Sequence, residues 1–164
     1  MTIPAEAFGD CSPSSLPAGA ICKIRDRWSL RVDGGVRQDF KALLVVEGER
    51  TGQLIELKPS MAPSLTIIPP FGWFPACSGE VGTSAVDLET ATWTLTSTGP
   101  IIIGAVDSRW DQEFFAYRVN GTCDDSYDRY GAKKRFFRWT AELEHSSNRF
   151  RSLHSLFAID RASE

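Results

Sequence analysis

Ile21-Cys22-Lys23-Ile24-Arg25-Asp26-Arg27-Trp28-Ser29-Leu30-Arg31-Val32-Asp33 alternates apolar and basic side chains along most of its length. Cys22, Ile24, Trp28, Leu30 and Val32 stand in one phase, and Lys23, Arg25, Arg27 and Arg31 in the other. Successive side chains of a strand point to opposite faces, so this period of two predicts a half-buried β-strand with its basic phase outward. Asp26 interrupts the apolar phase and predicts a bulge or bend there.

Working outward, Gly34 and Gly35 supply the positive φ angles of a tight turn, and a second strand is expected from about Phe40 to Val46. Gly48 and Gly52 bracket the tip of a hairpin whose returning arm, Gln53 to Lys58, ends at Pro59. Leu65 to Ile68 form a further short strand, closed by Pro69 and Pro70. Thr90 to Thr96 alternate threonine with Ala91, Trp93 and Leu95, whereas Ile101 to Val106 are apolar in both phases, as in a strand covered on both sides. Trp110 to Val119 fits either period, with strand favoured, and Lys133 to Glu144 alternates again through Phe137, Trp139, Ala141 and Leu143. Phe150 to Ile159 reads as a strand or a short helix. The expected fold is therefore mainly β, an antiparallel barrel or sandwich of about eight or nine strands, with one short helix near the C-terminus as the alternative for the last element.

A chain of 164 residues that is 42% hydrophobic can bury one core but not two full domains. Pro4, Pro13 and Pro17 among serines make residues 1–20 an extended arm, residues 21–160 the β-rich domain, and 161–164 a tail. The start lacks a basic and then apolar leader, no run reaches the length of a membrane span, and the widely spaced Cys11, Cys22, Cys77 and Cys123 contain no Cys-x-x-Cys pair. These features predict a cytoplasmic protein with reduced thiols and no membrane association.

Catalytic motifs are sparse. There is no phosphate loop, paired-histidine zinc helix or calcium loop, and no cofactor or metal is expected. Ser84 follows the first glycine of a nucleophile elbow but lacks the second, and His145 and His154 read as surface or packing residues. Asp124, Asp125 and Asp128, and separately Asp107, Asp111 and Glu113, form acidic groups whose spacing suits loop solvation better than a defined metal loop. Asp39 precedes an apolar strand, and Glu56-Leu57-Lys58 ends the returning arm of the same hairpin. This arrangement resembles the PD-(D/E)xK nucleases over about twenty residues, without the leading proline or the flanking helices. The resemblance implies two carboxylates on a cation and a lysine on the attacked phosphate.

The net charge of -3 excludes a uniformly basic protein, but residues 129–151 hold seven basic side chains and only two acidic ones. Lys134, Phe136 and Arg138 share one phase there. Together with Lys23, Arg25, Arg27 and Arg31 they would form a platform for nucleic acid or another anionic ligand, unless the charges serve only to guard strand edges. A second surface is Pro69-Pro70-Phe71-Gly72-Trp73-Phe74-Pro75, a stiff stretch that either presents Phe71, Trp73 and Phe74 to a partner or plugs the end of the fold. The leading expectation is a non-enzymatic protein that engages a protein partner or its own copies through this stretch and the arm. The anion-binding platform comes second, and an enzyme with a pocket inside a barrel or the nuclease-like site third.

Overall fold

The computed structural model describes residues 3–83, 90–107, 111–127 and 134–161. Ser84, Trp110, Asp128, Arg129, Lys133 and most of the expected tail lie outside these stretches. Among the described residues, twelve strands form two antiparallel sheets packed as a sandwich, without barrel closure. The first sheet contains β1 (Phe8–Cys11), β2 (Ile21–Ile24), β3 (Arg27–Asp33), β4 (Lys41–Val45), β5 (Leu54–Glu56) and β6 (Ser64–Ile67), in the order β1-β6-β2-β3-β4-β5. The second contains β7 (Phe71–Thr83), β8 (Trp93–Thr96), β9 (Gly99–Asp107), β10 (Gln112–Arg118), β11 (Lys134–His145) and β12 (His154–Asp160). Strand β11 organises this sheet, with β7 along one edge and β8 followed by β12 along the other. Among the described residues, no helix is long and apolar enough to cross a membrane.

The core lies between the sheets. Trp28, Leu30 and Val32 of β3 and Leu44 of β4 face Trp93, Ile102, Tyr117, Trp139 and Phe157 from the second sheet. Four aromatic rings run through it in contact: Trp93 and Trp139 at 5.6 Å, Trp139 and Phe157 at 5.6 Å, and Phe157 and Trp28 at 5.3 Å between centroids. The two-phase apolar run becomes β9: Ile102 enters the core, while Ile101 and Ile103 pack with Ala116 outside it. Main-chain bonds also tie the sheets together. The Ala105 amide donates to the Gly52 carbonyl at 2.8 Å, and the Asp33 amide donates to that of Gly121 at 2.8 Å. Gly104 permits this approach, since a Cβ there would lie 2.9 Å from side-chain atoms of Leu44 and Leu54.

The excess over eight or nine strands has identifiable sources. The stretch read as one strand, 21–33, is a hairpin whose two turn residues, Arg25 and Asp26, both take positive φ angles of 48° and 65°. That is the backbone of a type I′ turn, and it resets the phase: Lys23 lies opposite Trp28, and Ile24 opposite Arg27. Cys22 and Ile24 therefore leave the apolar phase of β3 and belong to a cluster on the sheet's outer face. The segment read as an extended arm contributes β1, paired with β6, and two single-turn 3-10 helices. The proline-bounded aromatic stretch is the start of β7 and not a loop, and the last element is the strand β12 with no helix.

A left-handed backbone at Asp26 is costly for a side chain with a Cβ, and among the described residues no hydrogen bond of its carboxylate compensates. Asp26→Gly is expected to stabilise the chain by about 1 kcal/mol. A raised urea midpoint with an unchanged slope would show it.

A candidate ligand groove on the outer face of the first sheet

The outer phases of β2 to β5 meet on one face. Ser29 pairs with Val45, Leu43 with Ile55, and Ile24 with Arg27, and directly paired residues share a face. Leu43 and Val45 are buried there although they point away from the core between the sheets. Part of this face is roofed by Leu16 from the amino-terminal segment and by Leu57 and Met61 after β5, which close over Cys22 and Leu43. The remainder is a groove of about 480 Å³, floored by Ile24, Ser29, Leu43, Val45 and Ile55 and bounded by Met61. Arg25 and Arg27 reach it from the β2–β3 turn, Glu49 and Arg50 from the β4–β5 connection. The two turns lie side by side, and a Cβ on Gly48 would lie 3.1 Å from the Arg27 side chain.

No ion pair among the described residues engages Arg25, Arg27 or Arg50. Ser29 is 4% exposed, lines the groove, and its hydroxyl has no hydrogen-bond partner among the described residues. Three guanidinium groups, each a planar donor fork, thus flank the Ser29 hydroxyl and an apolar floor. The groove combines three cationic side chains, the Glu49 carboxylate and the Ser29 hydroxyl over an apolar floor.

The expected basic platform is not one surface. Arg25 and Arg27 belong to the groove, but Arg31 is buried, at 2% exposure, and cannot serve an external anion. Its Nη1 donates to the Val32 carbonyl at 2.5 Å and the Asp33 carboxylate at 2.6 Å, beneath the segments that roof this part of the sheet. Lys23 points the other way, with its ammonium 5.7 Å from the centre of the Trp28 ring. Lys134 and Arg138 lie on the second sheet, where Arg138 is paired to Asp160 at 3.2 Å, and Phe136 packs against the core instead of standing exposed. The phase reset at Arg25 and Asp26 and the covering of the outer face account for the corrections on the first sheet; on the second, the register of β11 against β7 shifts between Lys134 and Phe136.

The aromatic stretch divides likewise. Trp73 packs on the core and its indole donates to the Gly19 carbonyl at 2.8 Å, so it binds the amino-terminal segment of its own chain. Phe71 meets His145 edge-on at 5.3 Å, and Phe74 meets Phe150 at 5.8 Å. Phe150 is 71% exposed.

Asp39 and Glu56 do come together, as the nuclease-like reading requires, but around a cation the chain itself provides. Arg37 pairs with Asp39 at 3.0 Å and donates to Glu56. Asp124 is buried and takes bonds from the amide and hydroxyl of Ser126 at 3.1 and 2.7 Å, an Asx turn that stabilises its loop. In the other acidic group, Asp107 accepts the Gln112 side chain at 3.1 Å. His145 Nδ1 lies 2.7 Å from the Ser147 hydroxyl.

The sequence reading passed over Glu142, which is buried on the outer side of β11 and accepts the hydroxyls of Thr140 at 2.7 Å, Ser152 at 2.7 Å and Ser155 at 2.8 Å. Burial alone would raise its pKa, but the hydroxyls of Ser152, Thr140 and Ser155, with His154 nearby, more than offset that and hold it below the usual carboxylate range. It also passed over Ser29, Arg50, Ile55 and Met61. A signal was present: Ala42-Leu43-Leu44-Val45-Val46 is apolar in both phases, which marks an outer face that is covered as well as an inner one. No protein-family model matches the chain, nor does any curated protein or solved structure. Its function has to be argued from the chemistry of its own surfaces.

Proposed function

We propose that this chain is a non-enzymatic binding protein and that the groove between the β2–β3 and β4–β5 turns holds an anionic ligand. The observation that carries the reading is the convergence of Arg25, Arg27 and Arg50, with no ion pair among the described residues, on a concave site. Guanidinium groups that only guarded a strand edge would not need to border a cavity floored by Ser29 and apolar side chains. The four free cysteines agree with a reducing, cytoplasmic setting.

Titrating the isotope-labelled protein with phenyl phosphate is expected to shift the amide resonances of Ser29, Val45 and Arg50. Arg27→Gln with Arg50→Gln should weaken binding by about tenfold, the scale of one well-placed charged hydrogen bond after allowance for solvent exposure. Shifts that map elsewhere, or an affinity untouched by the two substitutions, would overturn the reading.

A second reading, contact with a protein partner or another copy, is favoured at Phe150. Its ring is exposed beside Phe74, and its positive φ of 62° is held by a 2.6 Å bond from its amide to the buried Glu144 carboxylate. Arg149 lies over the same ring at 5.3 Å. Self-association that increases with concentration and disappears in Phe150→Ser is the expected result, read by sedimentation velocity; a strictly monomeric parent chain counts against it.

A further inference from the structure

The groove has a direction. In the strand register, Arg27 precedes Ser29, whose partner is Val45, and two residues farther along the same face stands Leu43 beside Ile55. The charges that line the groove therefore collect at the turn end, and its lining becomes apolar toward Met61 and the roofed cluster, beneath which Arg31 is tied to Val32 and Asp33. We infer that the ligand is amphipathic, an organic phosphate or carboxylate whose anionic head lies at Arg25, Arg27 and Arg50 and whose hydrocarbon body lies on Val45, Leu43 and Ile55. This rests on the proposed anion-binding role and names the class of anion.

A bare inorganic anion would satisfy the arginines yet leave the floor wet, whereas an apolar body attached to it removes that surface from water. The volume of about 480 Å³ is on the scale of a small-molecule site. Met61 at the inner end is a flexible thioether, suited to closing over bodies of different shape. Glu49, at the same rim, leaves two net positive charges, enough for one phosphate or carboxylate head. Nucleic acid fits less well: among the described residues no aromatic side chain lines the groove to stack a base.

The test is calorimetry of the whole chain with octyl phosphate, inorganic phosphate and octanol, all below the micelle concentration. Octyl phosphate is expected to bind at least about tenfold more tightly than either single-feature probe, because only it fills both halves of the groove. Ile55→Ser should erase most of that preference, read as the ratio of octyl phosphate to inorganic phosphate affinity; Ile55 borders the groove outside the core clusters, and an unchanged amide spectrum checks that the variant is folded. Inorganic phosphate binding as tightly as octyl phosphate would overturn the amphipathic assignment and leave the anion site standing. Octanol binding as tightly as octyl phosphate, or no binding of any probe, would overturn both. An octyl preference that survives Ile55→Ser would place the hydrocarbon elsewhere and overturn the assignment.

Discussion

Trp139→Ala is expected to destabilise the chain by about 3–5 kcal/mol, a large part of the roughly 5–15 kcal/mol that holds a domain of this size together. Trp139 is buried at the middle of β11 and touches both Trp93 and Phe157, so its ring joins the aromatic packing of the second sheet to Trp28 of the first. Its indole also donates to the Ala91 carbonyl at 2.9 Å. Truncation would empty a site bounded by three rigid aromatic or strand elements, which cannot collapse to refill it. Trp139→Phe keeps most of the ring contacts and loses the donor to Ala91, a change of about 1–2 kcal/mol. Urea unfolding followed by near-ultraviolet dichroism separates the two. A loss below about 1 kcal/mol for the alanine variant would mean that the core is not organised around this ring.

Gly121→Ala carries the second large effect. Gly121 takes a φ of +82°, and a Cβ on it would come within 2.3 Å of the Gly19 amide nitrogen and 2.5 Å of the Arg31 carbonyl oxygen. Both obstacles are main chain, so no rotamer relieves them. The same glycine accepts the Asp33 amide, and displacement would also cost that link between the sheets. A loss of about 2–4 kcal/mol is expected. Gly99→Ala is the control: its φ is +115°, but nothing lies within 4 Å of the added atom, so it should cost only the backbone term of about 1 kcal/mol. Equal destabilisation of the two variants would show that the close approach at Gly121 is not tight.

The inward phases were legible because burial imposes period two on the residues themselves. Trp28, Leu30 and Val32 were read correctly as a strand's buried side, and the two-phase run at Ile101 to Val106 as a strand covered on both faces. The β2–β3 turn was not, since Arg25 and Asp26 lack the glycine or asparagine that normally advertises a left-handed turn, and tertiary pairing overrides their preference. Strand β7 was hidden by Pro69 and Pro70 before it and Pro75 within it. Among the described residues it pairs only with β11, and a strand paired on one side tolerates Pro75, which has no amide proton to offer. The groove was half legible. Arg25 and Arg27 carry a charge signal in the sequence, but Arg50, Ile55 and Met61 join them only when two turns more than twenty residues apart lie side by side, and no local pattern encodes that.

The main-chain bonds from Ala105 to Gly52 and from Asp33 to Gly121 turn two stacked layers into a single seamed object. A sandwich held only by side chains can lose one layer while the other persists, because sliding apolar surfaces breaks no directional bond. Here neither layer can peel away without tearing peptide hydrogen bonds at the seam, each of which would then be stranded without a partner until water arrives. The chain should accordingly behave as one cooperative unit, and the groove on its outer face inherits that rigidity, with its floor strands anchored on the side opposite the ligand.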